Sequence, residues 1–280
     1  MIIAAHIGIG IKGLEGTQAA RSSDYAIGRF KYLRPLLFYH GREAYRRNSM
    51  LAQYMFYKNI LYVLPLYWFG FFSAFSGQTL YEAIIYQGYN TVFTAMPIMW
   101  YAVFDEEYTK KEFHTNPLLY SIGQNSECYS MKLLVLTLVK GIFHALLITM
   151  FVFVSLNGVA ITEEGYNGSL WFSGTLLYAI VVIIANMWIF QRTNSHTVVS
   201  FILIYGSFMI FFLWWWFENL YPAFPELYGI FDDILGQGKA WLVILLSVWF
   251  NYAWDITEGL WSHYKFLKKE QERLSKINEN

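Results

Sequence analysis

The sequence predicts a mainly α-helical, polytopic membrane protein, with six transmembrane helices preceded by the tail end of an α/β domain. Hydrophobic residues make up 56% of the chain and charged residues 14%, where soluble domains carry roughly 25% charged residues. The apolar residues gather in runs of about 20, long enough for a helix to cross a bilayer. Aromatic residues reach 20%, as expected of helices anchored by aromatic belts. Net charge is zero, so no basic surface argues for nucleic acid. The single Cys128 excludes an intrachain disulfide and a Cys-based metal site.

Residues 1–50 are mixed polar, with basic residues spread through them. They read as cytosolic protein and not as a targeting peptide. His6-Ile-Gly-Ile-Gly-Ile11 alternates apolar residues with glycine, a strand of period two. Gly13 to Asp24 reads as a turn and a short helix, and Tyr25-Ala-Ile27 as a second brief strand. From Leu33 the chain looks helical and runs without a breaker into the first span. Fifty residues are too few for an independent core of this type. The expectation is an α/β domain that begins upstream of Met1.

Six spans are placed at about 51–74, 83–104, 132–156, 170–190, 197–217 and 238–260. The membrane domain is therefore 51–262, and 263–280 is a polar cytosolic tail. Trp214-Trp-Trp216 is read as an interfacial anchor. Basic residues collect in 1–50, in the 105–132 loop, at Arg192 and in the tail. The opposite loops carry Glu82, Glu163, Glu164, Glu218, Glu226, Asp232 and Asp233, with Lys239 their only base. The positive-inside rule then puts both termini in the cytosol. Asn167-Gly-Ser169 fits the glycosylation pattern, at the membrane edge of the exoplasmic side.

The first two spans hold the candidate site. Between Leu51 and Phe104 only Lys58 and Glu82 are charged, and Glu82 is in the connecting loop. A charge at mid-bilayer costs at least about 2.5 kcal/mol, so Lys58 should face protein or a pathway. Either it is an interior cation beside a polar path, or it donates to a carbonyl that Pro97 leaves without its helical partner. Asn59 and Asn90 could donate to oxygens of a polar ligand or join helices. Thr94 could do the same or bond its own backbone. Lys140 and His144 share a helix face, with Lys140 able to snorkel. Asp255 and Glu258 are expected to cap or solvate the last span.

These motifs also carry a resemblance. His6-Ile-Gly-Ile-Gly-Ile-Lys-Gly-Leu-Glu-Gly-Thr-Gln-Ala19, Ser23-Asp-Tyr-Ala-Ile27, His40-Gly-Arg42, Phe56-Tyr-Lys-Asn59, Phe75-Ser-Gly-Gln78, Tyr89-Asn90, Phe93-Thr94, Pro97 and Phe104-Asp105 follow in order. The chain thereby resembles the C-terminal portion of a P4-type ATPase, a phospholipid flippase. The match covers residues 1 to about 108 by motif and rests on hydropathy beyond about 131. The resemblance implies that residues 1–50 close a phosphorylation domain of haloacid-dehalogenase type. The helix Leu33–Asn48 would couple that domain to the membrane.

By resemblance, the complete enzyme uses ATP and Mg2+ to move an aminophospholipid toward the cytosolic leaflet. Asn90 and Thr94 would contact the headgroup, with Asn59 and Lys58 in support. The motifs for phosphorylation, magnesium and nucleotide are not in this sequence, so the chain is not expected to be active alone. An accessory β-subunit with a glycosylated ectodomain could dock on the loops Leu156–Gly168 and Phe217–Gly236. The implied membrane is Golgi, endosomal or plasma membrane. One alternative is a non-catalytic membrane module or scaffold. Another is a cation-transporting P-type ATPase, disfavoured because its ions want several oxygen ligands and carboxylate charge. In the family, Asp-Gly-x-x-Asn-Asp stands just before a Met-Ile pair, here Met1-Ile2. The transcript upstream of Met1 is therefore expected to encode that motif in frame. An in-frame stop there, in genome and transcript alike, would contradict the reading.

Overall fold

A computed structural model describes residues 4–13, 17–115, 117–156, 169–222 and 226–278. The Met1-Ile2 pair, residues 14–16 of the glycine motif, the 157–168 loop and Asn167 of the glycosylation pattern lie outside the described residues. The chain divides into two compact units. One is Met1–Ala52 with Ala102–Leu134, and the other is Gln53–Tyr101 with Val135–Asn280.

In the first unit, strands β1 (Ile9–Ile11) and β2 (Tyr25–Ile27) pair in parallel, with Ile9 opposite Tyr25 and Ile11 opposite Ile27. Parallel strands need a crossover, and the short helix Gln18–Arg21 lies between them in sequence. Asp24 closes the turn by accepting from the Gly8 N–H at 2.7 Å. The chain then passes through a π-helical stretch, Leu36–Gly41, into the long helix Arg42–Phe72. At the start of that helix Arg42, Glu43 and Arg46 are buried. Arg46 reaches the carboxylates of Glu43 and Asp105, each at 2.8 Å, and Arg42 pairs with Glu43 and Glu107. Pairing of this kind offsets the cost of burying charge, and removing one partner costs about 3–5 kcal/mol. Burial and a hydrogen bond with Glu106 push the Tyr39 phenol up to about 12, so it stays protonated.

In the second unit, four helices are long and apolar enough to cross a membrane: Met131–Leu156, Leu170–Arg192, Val198–Leu220 and Gly238–Trp261, the last being part of the helix Gly238–Asn278. Buried residues make up 83% of the apolar window of Leu170–Arg192, against 22–28% for the other three. That helix is the centre of the unit. Ser169 caps it, its hydroxyl accepting from the Phe172 N–H at 3.2 Å. Thr197 and Ser200 cap the next helix reciprocally, satisfying N–H groups that have no partner in their own helix.

Two stretches expected to span are built differently. Arg42–Phe72 is long enough, but Lys58, Asn59 and several tyrosines dilute its apolar character. The 83–104 stretch is interrupted: helix Ala83–Gly88 widens into a π-helical turn over Tyr89–Phe93, breaks at Thr94 (φ −132°, ψ 0°), and restarts as Ala95–Phe104. Each piece alone is too short to cross a bilayer. Pro97 contributes to the break, because it has no N–H to return to the preceding turn. Glu82 caps the first piece, accepting from the Ile84 and Ile85 N–H groups at 2.7 and 2.8 Å.

The loop before Ala83 lies against the central helix at Gly174, where a Cβ would come within 2.0 Å of the Leu80 carbonyl oxygen. At Gly206 a Cβ would meet nothing within 4 Å. Gly174→Ala is therefore expected to destabilise the chain by about 1–3 kcal/mol, while Gly206→Ala does not. Thermal unfolding of both variants in detergent decides this. Equal melting temperatures would show that the loop shifts freely.

Candidate functional site

The interrupted stretch leaves carbonyl groups that a regular helix would have satisfied. In a membrane interior each unpaired one costs several kcal/mol. Side chains supply the missing donors. The Tyr178 hydroxyl donates to the Ile85 carbonyl at 2.7 Å, and that of Tyr62 to the Tyr86 carbonyl at 2.8 Å. The Thr94 hydroxyl turns back to the Tyr89 carbonyl at 2.6 Å. The Asn186 amide donates to the Phe93 carbonyl at 3.0 Å and to Val182 of its own helix at 3.0 Å. The rings that bring these hydroxyls also pack together: Tyr62 stacks on Tyr89 at 4.2 Å and on Tyr81 at 5.3 Å.

Lys58 sits inside this arrangement, 1% exposed. Its ammonium donates to the Thr94 hydroxyl at 3.0 Å and lies 5.5 and 5.9 Å from the ring centroids of Tyr54 and Tyr89. Aromatic faces attract a desolvated cation by about 2 kcal/mol. No carboxylate forms a salt bridge with Lys58 among the described residues. The expectation that Lys58 serves the carbonyl freed by Pro97 is corrected. Asn186 takes that carbonyl, and Lys58 binds the hydroxyl of the residue at the break.

The four candidate residues do not converge. Lys58 and Thr94 are buried and bonded to one another. Asn59 and Asn90 are exposed. Asn59 donates to Met55 of its own helix at 2.8 Å, so it joins no second helix. The Asn90 amide is exposed on the π-helical turn and carries no hydrogen bond among the described residues. Its amide can both donate and accept.

Other polar residues of the second unit have partners of their own. Tyr57 and His144 share a hydrogen bond of 2.7 Å, and Tyr57 stacks on Trp188 at 5.1 Å. Lys140 pairs with both Asp255 and Glu258. The expected capping role of those two carboxylates is thus corrected to a cross-helix ion cluster. Among the described residues no three His, Cys, Asp or Glu side chains come together to hold a metal.

Asn186 was missed by sequence reasoning. The available signal was a lone amide in an otherwise apolar run, Leu176 to Ile189, opposite a proline that predicts an unpaired carbonyl.

The family model described as "Phospholipid-translocating P-type ATPase C-terminal" matches residues 20–266. Phospholipid-transporting ATPase IH of Mus musculus is 34% identical over 252 residues, which are 89% of this chain and 21% of that protein. Phospholipid-transporting ATPase DRS2 of Saccharomyces cerevisiae is 34% identical over 273 residues, 95% of this chain and 20% of that protein. Phospholipid-transporting ATPase IG of Homo sapiens is 32% identical over 256 residues, 90% of this chain and 22% of that protein. The chain spans about a fifth of the length of the curated relatives it matches.

Asn186→Leu keeps roughly the same volume and removes the donor to Phe93. It is expected to cost about 1–3 kcal/mol, the desolvation penalty of a buried carbonyl left unpaired. Thermal unfolding in detergent reads this directly. An unchanged melting temperature would mean that another donor serves the Phe93 carbonyl.

Proposed function

We infer that this chain, which belongs to the family of phospholipid-translocating P-type ATPases, forms the C-terminal membrane portion of an ATP-driven flippase. The complete protein moves an aminophospholipid toward the cytosolic leaflet. One observation carries the reading beyond family membership. The buried Lys58 ammonium bonds the buried Thr94 hydroxyl at the break of the 83–104 stretch, the exposed Asn90 amide stands on the π-helical turn before it, and no carboxylate pairs with Lys58 among the described residues. A pump for inorganic cations needs oxygen ligands and negative charge at such a place. Glu82, the one carboxylate between Leu51 and Phe104, is used as a helix cap. Lys58 and Asn90 instead suit an anionic or zwitterionic headgroup, whose phosphate and carboxylate oxygens accept hydrogen bonds.

In this reading Arg42–Phe72 and the interrupted 83–104 stretch are spans as well, which brings the total to six. Irregular backbone at membrane depth is tolerated where protein or a polar cavity covers it. Residues 1–50 close a phosphorylation domain of haloacid-dehalogenase type, and 263–280 form a cytosolic tail. Both termini face the cytosol, on the distribution of basic residues. ATP and Mg2+ act in parts of the complete enzyme other than these residues. An accessory β-subunit would meet the acidic, aromatic loops at Leu156–Gly168 and Phe217–Gly236, since aromatic side chains are favoured interface anchors. The host membrane is Golgi, endosomal or plasma membrane.

Asn90 contacts the headgroup from the π-helical turn, and Lys58 holds Thr94 in place at the break behind it. The test uses a complete enzyme that includes this segment. Asn90→Leu is expected to leave phosphoenzyme formation intact and to weaken lipid-stimulated dephosphorylation. One lost hydrogen bond to a charged group is worth about 1.5–3 kcal/mol, roughly 10–150-fold in apparent lipid affinity. Lys58→Met is expected to lower melting temperature and activity together, because its ammonium supports the break. If Asn90→Leu moves every lipid tested at the original affinity, the headgroup assignment fails. If Lys58→Met folds normally and loses only lipid stimulation, Lys58 itself belongs to the path.

A further inference from the structure

In the first unit, residues 103–107 are fastened along the start of the Arg42–Phe72 helix. The Arg47 guanidinium donates to the Val103 carbonyl. Arg46 pairs with the Asp105 carboxylate at 2.8 Å and donates to the Asp105 carbonyl at 3.1 Å. Arg42 pairs with Glu107, and its guanidinium lies 5.2 and 5.4 Å from the ring centroids of Tyr108 and Phe113. Tyr39 shares a hydrogen bond with Glu106. Helix Ala95–Phe104 ends at this clasp. The last carbonyls of a helix have no partner in their own helix, and that end carries partial negative charge. Arg46 and Arg47 bring donors and positive charge together.

The other end of Ala95–Phe104 is tied as well, by the Lys58 ammonium on the Thr94 hydroxyl at 3.0 Å. Each tie lies within one compact unit, and the continuous helix Arg42–Phe72 passes through both. Arg46 and Lys58 are 12 positions apart on that helix, and Thr94 and Asp105 are 11 apart. At 1.5 Å rise per residue these are about 18 and about 17 Å. The lengths match, so Ala95–Phe104 is held between the two ties without slack. The first part of the stretch is held by other donors, Tyr178 on Ile85, Tyr62 on Tyr86 and Asn186 on Phe93. Opening the clasp therefore frees Ala95–Phe104 and leaves Ala83–Phe93 in place. The Lys58–Thr94 bond takes the displacement.

We propose that Arg46 and Arg47 are positioning residues that set the register of Ala95–Phe104 against the Arg42–Phe72 helix and so keep Thr94 opposite Lys58. Their part in lipid-stimulated dephosphorylation rests on the transport reading above. The register rests on the contacts alone. Arg47 is the better probe of the two. It is half-buried and serves carbonyl groups, so replacing it strands no buried carboxylate. For Arg46 the matched variant is Arg46→Gln with Asp105→Asn, which removes both charges of a buried pair together.

The first test reads the register in the full chain in nanodiscs, with Cys128→Ser removing the native thiol. Nitroxide labels are placed on cysteines at Val63 and Met99, or at Val63 and Ile84, all exposed positions. The first pair spans the Arg42–Phe72 helix and Ala95–Phe104, and the second spans the same helix and Ala83–Gly88. Double electron–electron resonance gives the distances. Arg47→Gln is expected to replace a single narrow Val63–Met99 distance by a broad distribution and to leave Val63–Ile84 narrow. The Arg46→Gln, Asp105→Asn variant is expected to do the same. Arg47→Lys keeps a point donor and is expected to keep both distances narrow. An unchanged Val63–Met99 distance in both variants overturns the proposal, and so does equal broadening of the two pairs, which would report general loosening.

The second test uses a complete enzyme that includes this segment. Arg47→Gln is expected to lower the maximal rate of lipid-stimulated dephosphorylation about tenfold. Phosphoenzyme level and apparent lipid affinity are expected to stay within about twofold, the pattern of a group that acts on the step and not on binding. Arg47→Lys is expected to restore the rate. A fall in apparent affinity at unchanged maximal rate would place Arg47 in lipid binding and overturns the positioning role. Loss of phosphoenzyme in step with melting temperature would make the clasp structural only and overturns it too. If lipid fails to stimulate the unaltered enzyme, the transport reading falls, and the distances alone decide the register.

Discussion

The constraint on which the second unit depends is the pairing of backbone carbonyls where a helix stops being a helix. The 83–104 stretch gives up regular hydrogen bonds at its π-helical turn and at Thr94. In water those groups would be solvated. In a bilayer the nearest donors must be side chains. Tyr62, Tyr178, Thr94 and Asn186 each donate to one carbonyl of the stretch. The positions of those donors then dictate which helices pack together. The central place of Leu170–Arg192 follows, since it brings both Tyr178 and Asn186 to the break. Gly174 lets the same helix approach the loop that leads into it.

Charge is handled in three ways along the chain. In the first unit, buried Arg42 and Arg46 are neutralised by Glu43, Asp105 and Glu107. At Lys140 two carboxylates from another helix do the same. Lys58 has a hydroxyl and two aromatic rings. An ammonium in that setting keeps more of its attraction for a passing anion than one already neutralised by a carboxylate. The carboxylate of Glu82 has the opposite sign and another use, capping the helix that opens the interrupted stretch.

Much of this was legible in the sequence. The helices from Met131 onward announce themselves by apolar runs, and the strand–helix–strand start by its alternation with glycine. The oddity of Lys58, Thr94 and Pro97 was legible too, because charge, hydroxyl and proline are rare at such depth. Their pairing was not. Asn186 is 93 residues from Phe93, and a single sequence has no term linking residues so far apart. The tyrosines misled for a related reason. Their abundance reads as an interfacial belt, yet Tyr54, Tyr57, Tyr89 and Tyr178 are at most 1% exposed. Belt and interior tyrosines are the same residue in sequence and differ in what the fold brings to the hydroxyl, such as the Ile85 carbonyl at Tyr178 and His144 at Tyr57.

The donors of the interrupted stretch also come late. Tyr178 and Asn186 each follow the residue they serve by 93 positions. At roughly 5–20 residues per second of synthesis, the stretch leaves the ribosome several seconds before either donor exists. Its carbonyls must spend that interval beside water or in the shelter of the insertion machinery, because lipid would not accept them. The first helix can offer only Tyr62. This part of the membrane domain is therefore finished in an order different from that of its sequence. In the six-span reading the fourth span completes the second.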